Sequence, residues 1–271
     1  MPELPEVETI ARGLDKRVAG EAIESVWLGS KPEPLKSTAE EIVAALDSKT
    51  ISGVRRMGKH IVFDLASSNG SPAKTSQWIV HLGMTGSLRV SAPDVPVGKH
   101  THAILKLSSG RELRFVDPRR FGRLSVIEKF AAPGSEPLHI SFEDFVKLFR
   151  KRKTPIKSAL LNQKLLSGVG NIYADEALFR AKVRPRRRAS SLTQGELKRL
   201  HAELKKVLNH AIRLGGSSIS DYVDADGEEG FFQLKHRVYG REGKPCLVCK
   251  TPIKRIVIAG RSSHYCPHCQ K

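Results

Sequence analysis

The sequence predicts an α+β protein of several domains, with a β-rich domain first, a helical domain second and a small metal-binding module last. Four observations support this prediction. A helical repeat opens the chain, and short β-type runs separated by turn residues follow it to about residue 127. Helical periodicity returns beyond residue 138, and all four cysteines lie in the last 26 residues.

Composition sets the broad class of the protein. The 271 residues are 39% hydrophobic, which is enough to build a core and excludes global disorder. No apolar run approaches the ~20 residues that a transmembrane helix needs, and no signal-peptide pattern opens the chain. We therefore expect a soluble, cytoplasmic protein that does not enter a membrane.

The charge balance is strongly basic. Lys and Arg number 46 against 28 acidic residues, which gives a net charge of +18. Such an excess attracts polyanions, because each phosphate that Lys or Arg neutralises releases condensed counterions. The balance favours a nucleic-acid partner over a basic surface that serves only solubility, and it leaves ribosomal-type RNA binding open.

The β-rich part begins with an amphipathic helix. Gly20 supplies a stop signal after apolar residues that recur at steps of three and four, namely Val7, Ile10, Ala11, Leu14 and Val18. From about residue 23 to 127 the pattern indicates short strands and turns, interrupted by one short helix near residues 39–46. This pattern is typical of an antiparallel sandwich or barrel.

The second half of the chain reads as helical. A linker containing Pro and Gly at 131–137 precedes helical periodicity at 142–150, 155–162, 172–181 and 194–214. A Gly- and acid-rich loop at 217–230 then leads to the cysteine segment. The predicted domains are residues 1–130, 138–216 and 235–271, and residues 217–234 form a loop segment between the last two.

The cysteines predict one structural zinc ion. They form two pairs, Cys246-Leu-Val-Cys249 and Cys266-Pro-His-Cys269, with 16 residues between the pairs. Paired knuckles of this kind present four thiolates to one tetrahedral ion, whereas a disulfide framework scatters its cysteines along a secreted chain. A shell of four thiolates leaves no open position for water. His264 and His268 are then surface or DNA-facing residues rather than ligands.

The start of the chain has two interpretations. Removal of Met1 would leave Pro2 as a secondary amine, and since an α-amino group has a pKa near ~8, an appreciable fraction is neutral and able to attack a sugar carbon. Glu3 and Glu6 could supply a carboxylic acid for proton transfer. Pro and Glu also suit a helix start, where free N–H groups and the macrodipole favour them. These residues alone favour the structural interpretation.

Five distinctive motifs are spread along the whole chain. They are Met1-Pro-Glu-Leu-Pro-Glu-Val-Glu-Thr9, His81-Leu-Gly-Met-Thr-Gly86, Asp117-Pro-Arg-Arg-Phe-Gly122, Leu166-Ser-Gly-Val-Gly-Asn-Ile-Tyr-Ala174 and Gly260-Arg-Ser-Ser-His-Tyr-Cys-Pro-His-Cys-Gln270. On these motifs the sequence resembles the formamidopyrimidine-DNA glycosylases. Five motifs in the right order make the resemblance highly specific.

The resemblance implies a fold and an activity. The fold is an N-terminal helix with an antiparallel β-sandwich, a helix–two-turn–helix domain and a C-terminal zinc finger, with damaged double-stranded DNA bound between them. Members of the family flip oxidised purines, chiefly 8-oxoguanine and formamidopyrimidines, out of the duplex, excise them and cut the strand by β,δ-elimination. We therefore expect a monomeric DNA glycosylase and lyase of base excision repair, associated with the bacterial nucleoid through DNA.

The resemblance also implies a catalytic set. Pro2 is the nucleophile that forms a Schiff base at C1′, Glu3 is the general acid and base at the sugar, and Glu6 is a supporting acid. Lys59 matches a lysine that grips the phosphates beside the lesion, although a solvated lysine at a strand end would look the same in sequence.

A second set of residues is expected to contact DNA. Met84, Arg119 and Phe121 match the trio that fills the hole left by the extruded base, although Met and Phe taken singly are more often core residues. The other expected contacts are His81, Lys157, Gly170, Asn171, Tyr222 and Arg261. Tyr222 belongs to the segment that caps the everted base, an acidic loop. Arg261 lies between the cysteine pairs, so we expect zinc to fix the loop that presents it.

Two rival functions remain open from sequence. An endonuclease VIII-like enzyme shares the fold and the proline chemistry but removes oxidised pyrimidines; Leu4, Arg119 and Phe121 favour the purine enzyme. A non-catalytic zinc-ribbon protein that senses DNA damage would need neither a free N-terminal proline nor Glu3.

Overall fold

The chain folds into two compact units. The computed structural model describes residues 1–67, 76–218 and 228–271. The first unit, here the N-terminal unit, comprises Met1–Ala131 with Gly215–Gly230, and the C-terminal unit comprises Ala132–Leu214 with Phe231–Lys271. The described residues 215–218 and 228–230 thus group with the β-rich part, whereas the sequence pattern predicted a separate segment at 217–234.

The N-terminal unit contains two antiparallel sheets. Its elements are α1 (Leu4–Val18), β1 (Ile23–Leu28), α2 (Ala39–Leu46), β2 (Lys49–Met57), β3 (His60–Ser67), β4 (Ser76–His81), β5 (Ser87–Ser91), β6 (Thr101–Leu107), β7 (Glu112–Val116) and β8 (Arg123–Ile127). The strand orders are β1-β6-β7-β5 and β2-β3-β4-β8, and every strand pair is antiparallel.

One hydrophobic core joins α1 to both sheets. The apolar stripe of α1 is buried with Phe63 and Trp78 of one sheet and Leu105 and Phe115 of the other. Gly20 ends this region with φ of +86°, a conformation that glycine adopts without steric cost. The predicted first helix, antiparallel sandwich and short helix at 39–46 are confirmed.

The C-terminal unit combines helices with a β-hairpin. Its elements are α3 (Phe142–Phe149), α4 (Ile156–Leu161), α5 (Asn171–Arg180), α6 (Gln194–Arg213), β9 (Lys254–Ile258) and β10 (Arg261–Tyr265). The four helices begin and end within one residue of the predicted bounds. Among the described residues, no helix is both long and apolar enough to cross a bilayer.

Helix α5 is the interior element of the C-terminal unit. Its residues 172–179 are all buried, including two acids. The Glu176 carboxylate is satisfied by backbone N–H groups of Arg237, Val238 and Tyr239 at 2.9–3.0 Å, and burial raises the pKa of this group. A buried helix of this kind fixes the segments that pack on it, because each buried polar group must find a partner.

Candidate active site, DNA-contacting loops and metal centre

The start of α1 gathers two buried carboxylates beside Pro2. Pro2 is buried, and Glu3 and Glu6 are 4% and 2% exposed. Glu3 is the N-cap residue with extended backbone, and its N–H donates to Glu6 Oε2 at 2.8 Å. Pro5 lies in the first turn, where its missing N–H leaves no helical bond unmade. The cap thus holds Glu3, and with it Pro2, in one orientation.

The second oxygen of Glu6 holds a distant segment of the same unit. Its Oε1 accepts a hydrogen bond from the Ser217 N–H at 2.8 Å. Gly216 allows this approach, because a Cβ there would lie 2.8 Å from Glu6 Oε1 and its φ is +85°. From the sequence alone, Gly215-Gly216 was predicted only to end the helix at 194–214. Glu6 therefore links Glu3 to the beginning of the loop that follows residue 217.

Lys59 lies at the tip of the β2–β3 hairpin and is not a solvated strand-end lysine. It is 8% exposed, and Gly58 before it has a φ of +62°. The neighbouring Arg56 donates from Nη1 to the Gly58 carbonyl at 3.1 Å and from Nε to Glu8 Oε2 of α1 at 2.7 Å. The paired arginines Arg56 and Arg12 hold the pKa of Glu8 below its usual value, against the opposing effect of burial. The hairpin tip is therefore anchored to α1, which carries the two acids.

His81 lies at the end of β4 as a neutral side chain. Burial, then the charges of His60, Arg123 and Lys59, lower the pKa of His81 to about 4. Its Nδ1 lies 3.1 Å from the Gly83 nitrogen, whose N–H donates to it. The ring proton is thus on Nε2, which suits His81 to donate one hydrogen bond to an anion without carrying charge.

Two loops carry the predicted void-filling trio, and Asp117 anchors both. Asp117 is fully buried; its Oδ1 accepts from Thr85 Oγ1 at 2.6 Å, and its Oδ2 accepts from the Gly122 N–H at 2.7 Å. Gly83 has a φ of +65°, and a Cβ there would lie 2.5 Å from the Phe121 carbonyl carbon. Loops 82–86 and 117–122 therefore pack with little space between their backbones. Asp117 begins the motif at 117–122, but the sequence predicted no role for it.

The trio projects from these loops. Met84 is 45% exposed and Phe121 is 53% exposed, so neither belongs to the core. The Arg119 guanidinium lies 4.7 Å from the centroid of the Phe121 ring, a cation–π contact. Arg120 turns the other way and pairs with Glu33 at 2.6 Å. Three exposed side chains on an anchored platform can enter a space vacated by a base.

In the C-terminal unit, Gly170 and Asn171 form the start of α5. Gly170 is the N-cap residue, and the preceding loop is closed by Gln163, whose Oε1 accepts from the Gly168 N–H at 2.8 Å. Asn171 Nδ2 lies 3.3 Å from Ser262 Oγ of β10. The start of a helix is a general anion-binding feature, because the helix dipole places partial positive charge there.

Lys157 does not occupy the surface position that a direct DNA contact requires. Its side chain is 0% exposed, and its ammonium lies 2.7 Å from Asp175 Oδ1 and 2.6 Å from the Ser262 carbonyl oxygen. A phosphate contact needs an accessible ammonium, and this one is enclosed between α4, α5 and β10. The prediction of Lys157 as a DNA-contacting residue is therefore corrected to a buried ion pair.

The four cysteines converge and fit zinc. Cys246, Cys249, Cys266 and Cys269 are free thiols whose Sγ atoms all lie within 4.8 Å of one another. The Sγ separations are 3.9 Å for Cys246–Cys269 and 3.4 Å for Cys249–Cys266. A tetrahedral shell with Zn–S bonds of about 2.3 Å requires S–S separations of ~3.8 Å. The donor set and its spacing therefore suit one structural zinc ion.

Arg261 is exposed at the tip of the β9–β10 hairpin. The two-residue turn before it, Ala259 and Gly260, has φ values of +47° and +74°, which is the backbone of a tight hairpin turn. Arg261 pairs with Ile258 across the turn. Tyr222 lies outside the described residues.

Comparison with known proteins finds matches along nearly the whole chain. Family models described as the formamidopyrimidine-DNA glycosylase N-terminal domain, the formamidopyrimidine-DNA glycosylase H2TH domain and the zinc finger found in FPG and IleRS match residues 1–124, 133–223 and 243–271. Formamidopyrimidine-DNA glycosylases of Solibacter usitatus and Listeria monocytogenes are 46% and 41% identical, with complete coverage of both chains.

Solved structures are similar over nearly the full length. A Lactococcus lactis FPG mutant in complex with Fapy-dG-containing DNA has a TM-score of 0.88 at 35% identity, with each chain covered completely. MutM (FPG) from Thermus thermophilus has a TM-score of 0.86 at 42% identity, covering 99% of this chain and 98% of that one.

Proposed function

Because the chain belongs to the formamidopyrimidine-DNA glycosylase family, we propose that Pro2 is the nucleophile with which it removes oxidised purines from DNA. The protein is a DNA glycosylase of oxidised-purine repair, and lyase activity is typical of the family. The observation that carries the proposal is the junction at Glu6, which binds the Glu3 N–H and the Ser217 N–H at 2.8 Å each. It holds the N-terminal residues in a fixed position beside two buried acids.

The covalent step begins once Met1 has been removed. The lone pair of the Pro2 nitrogen forms a bond to C1′ while the N-glycosidic bond breaks, and the base departs as its anion. The proton that the new ammonium loses neutralises the departed base. Glu3, as general acid, protonates the ring oxygen O4′, and cleavage of the C1′–O4′ bond leaves an iminium at C1′. β,δ-Elimination from this open sugar cuts the strand on both sides.

Glu6, Lys59 and His81 support this step without forming bonds to the sugar. Glu6 keeps the Glu3 backbone and the segment after Ser217 in place through its two oxygens. The Lys59 ammonium and the neutral His81 Nε2–H bind phosphates beside the lesion. Each phosphate interaction stabilises the everted nucleotide against return to the stack.

Met84, Arg119 and Phe121 occupy the space that the extruded base leaves. Phe121 wedges between neighbouring bases, and the Arg119 guanidinium hydrogen-bonds the orphaned partner base. The cation–π contact of Arg119 with Phe121 supports a common direction for the two side chains. Tyr222 contributes to capping the base, as the family resemblance implies.

The C-terminal unit grips the strand. Gly170 and Asn171 bind a phosphate at the start of α5, and Arg261 binds another from the hairpin. Zinc bound by the four thiolates stabilises the hairpin and supplies no chemistry, since its shell is complete. We also propose that the protein acts as a monomer in the cytoplasm, at the nucleoid.

Excision under single-turnover conditions tests the proposed function. Two duplexes of the same sequence carry 8-oxoguanine opposite cytosine or thymine glycol opposite adenine. The proposal predicts that 8-oxoguanine is excised at least tenfold faster than thymine glycol. A preference for thymine glycol would support the endonuclease VIII-like alternative, and binding without excision of either base would support a damage sensor.

A further inference from the structure

Zinc and Arg261 lie at opposite ends of β10. Arg261 begins the strand, and Cys266 follows its last residue. Five residues of extended chain span about 17 Å at ~3.4 Å per residue. A two-stranded hairpin is marginally stable by itself, so a metal at one end does not fix the other. Something else must hold the end that carries Arg261.

A buried ion pair contacts that end directly. The Lys157 ammonium donates to the Ser262 carbonyl oxygen at 2.6 Å and lies 2.7 Å from Asp175 Oδ1. Asp175 Oδ2 accepts from the His264 N–H at 2.8 Å. Both charged side chains are 0% exposed. One pair therefore joins α4 and α5 to two backbone groups of β10, the Ser262 carbonyl and the His264 N–H, and the first of these adjoins Arg261.

The same contacts reach the other phosphate-binding residue of this unit. Asn171 Nδ2 donates to Ser262 Oγ at 3.3 Å, and Asp175 lies one helical turn after Asn171 on α5. Ser262 is thus held from its carbonyl by Lys157 and from its hydroxyl by Asn171. A shift of β10 would move Arg261 and would remove the Asn171 contact as well.

We propose that Lys157 and Asp175 are positioning residues for DNA phosphate binding: their ion pair clamps β10 so that Arg261 and Asn171 face the same strand. This inference rests on the proposed function, which assigns phosphate contacts to those two residues. It adds a second support to the sequence expectation that zinc fixes the loop that presents Arg261. The clamp itself touches no phosphate.

A double-mutant cycle tests the clamp. K157M/D175N removes both charges together, because loss of one partner alone leaves an uncompensated buried charge that endangers folding. Asn at 175 keeps an oxygen for the His264 N–H. The dissociation constant for a duplex with one tetrahydrofuran abasic-site analogue is measured by fluorescence anisotropy at several salt concentrations. Wild type, K157M/D175N, R261A and the combined triple variant are compared, with K198M, an exposed lysine of α6, as the control.

The clamp predicts non-additive effects. K157M/D175N retains one zinc per chain and an unchanged melting profile of the N-terminal unit, yet binds about tenfold more weakly, as R261A does. The triple variant is less than twofold weaker than R261A. Relative to wild type, the slope of log K against log salt becomes shallower by ~0.9 in R261A, with no second change of that size in the triple variant. K198M binds within twofold of wild type.

Three outcomes overturn the clamp. Additive losses with a second drop of ~0.9 in the salt slope would mean that Lys157 itself neutralises a phosphate. Unchanged binding by K157M/D175N would remove any positioning role. Wild-type binding by R261A would overturn the assignment of Arg261 under the proposed function and the clamp with it, and this failure is recognised from the single variant.

Discussion

Glu6 in the N-terminal unit and Asp175 in the C-terminal unit are buried acids that are held in different ways. In the N-terminal unit, each oxygen of Glu6 accepts a backbone N–H, from Glu3 and from Ser217. In the C-terminal unit, Asp175 faces the ammonium of Lys157 at 2.7 Å. Backbone amides hold a carboxylate by geometry and carry no net charge, whereas an ion pair consumes the charge of both partners. At Glu6 the first arrangement positions Glu3, the proposed catalytic acid, and at Asp175 the second gives rigid support to exposed cations.

This comparison predicts that loss of the catalytic acid and loss of a support for the exposed cations affect different steps. Loss of an acid in the N-terminal unit slows chemistry and spares binding. Loss of a support in the C-terminal unit weakens binding and spares the fold of the N-terminal unit.

Glu3→Gln gives the largest effect. We expect the single-turnover excision rate of 8-oxoguanine to fall by about 10²–10⁴-fold, since the amide cannot transfer a proton to the sugar. The dissociation constant for the tetrahydrofuran duplex stays within threefold. Glu24→Gln, which changes an exposed carboxylate of β1, is the control, with a rate change below tenfold. Equal losses in rate and affinity for Glu3→Gln would contradict a chemical role.

Cys249→Ser removes one zinc thiolate and tests whether the metal supports DNA binding by the C-terminal unit. We expect loss of the metal and DNA binding weaker by at least about a hundredfold, because the whole hairpin loses its folding energy, and with it both Arg261 and the Ser262 partner of Asn171 lose their positions. Zinc content and anisotropy measure the two effects. Near-native tryptophan fluorescence from Trp78, buried in the N-terminal core, reports that this unit stays folded. Unchanged affinity in zinc-free protein would break the link between metal and grip.

Asp117→Asn tests the platform under the void-filling trio. Asp117 accepts hydrogen bonds from Thr85 and from the Arg119 and Gly122 N–H groups, and in either orientation the amide NH2 of asparagine faces one of these two N–H donors. We expect a stability loss of about 1–3 kcal/mol and excision slowed about tenfold. Glu33→Gln, which removes the exposed partner of Arg120, is the control and shifts stability by less than about 0.5 kcal/mol. Denaturant unfolding and excision rates that match for the two variants would contradict the anchoring role.

His81→Gln gives the smallest effect and the clearest pH dependence. Because the pKa of His81 is lowered to about 4, the ring is neutral across pH 5–8 and protonates only when pH falls through about 4. Its replacement should weaken DNA binding by a constant factor, about three- to tenfold, throughout pH 5–8. Binding curves at half-unit pH steps measure this. A loss that grows below pH 6.5 would show that His81 binds DNA as a cation.

Much of the molecule could be predicted from local patterns. The helices at 142–149 and 194–213 follow from apolar periodicity, and the zinc site follows from cysteine spacing, because both signals are carried by residues near in sequence. Met84 and Phe121 show the limit of such reasoning. Their exposure depends on how loops 82–86 and 117–122 pack, which no single segment encodes.

Long-range contacts could not be predicted. The bond from Ser217 to Glu6 joins residues 211 positions apart, and the approach is set by the space beside Gly216. Lys157 reads in sequence as one more cation in a basic segment. Its burial follows from Asp175 and Ser262, which are brought to it only by the tertiary fold.

The central claim is that the N-terminal amine of Pro2 forms the covalent bond to DNA. Borohydride trapping on an 8-oxoguanine duplex, followed by protease digestion and mass spectrometry, locates the adduct within the chain. The account predicts one trapped DNA fragment on the peptide that begins at Pro2, with Met1 absent. It also predicts no trapping when a two-residue extension precedes Pro2, while the same extension at the C-terminus has no effect. An adduct on an internal lysine, or undiminished trapping with the N-terminal extension, would contradict it.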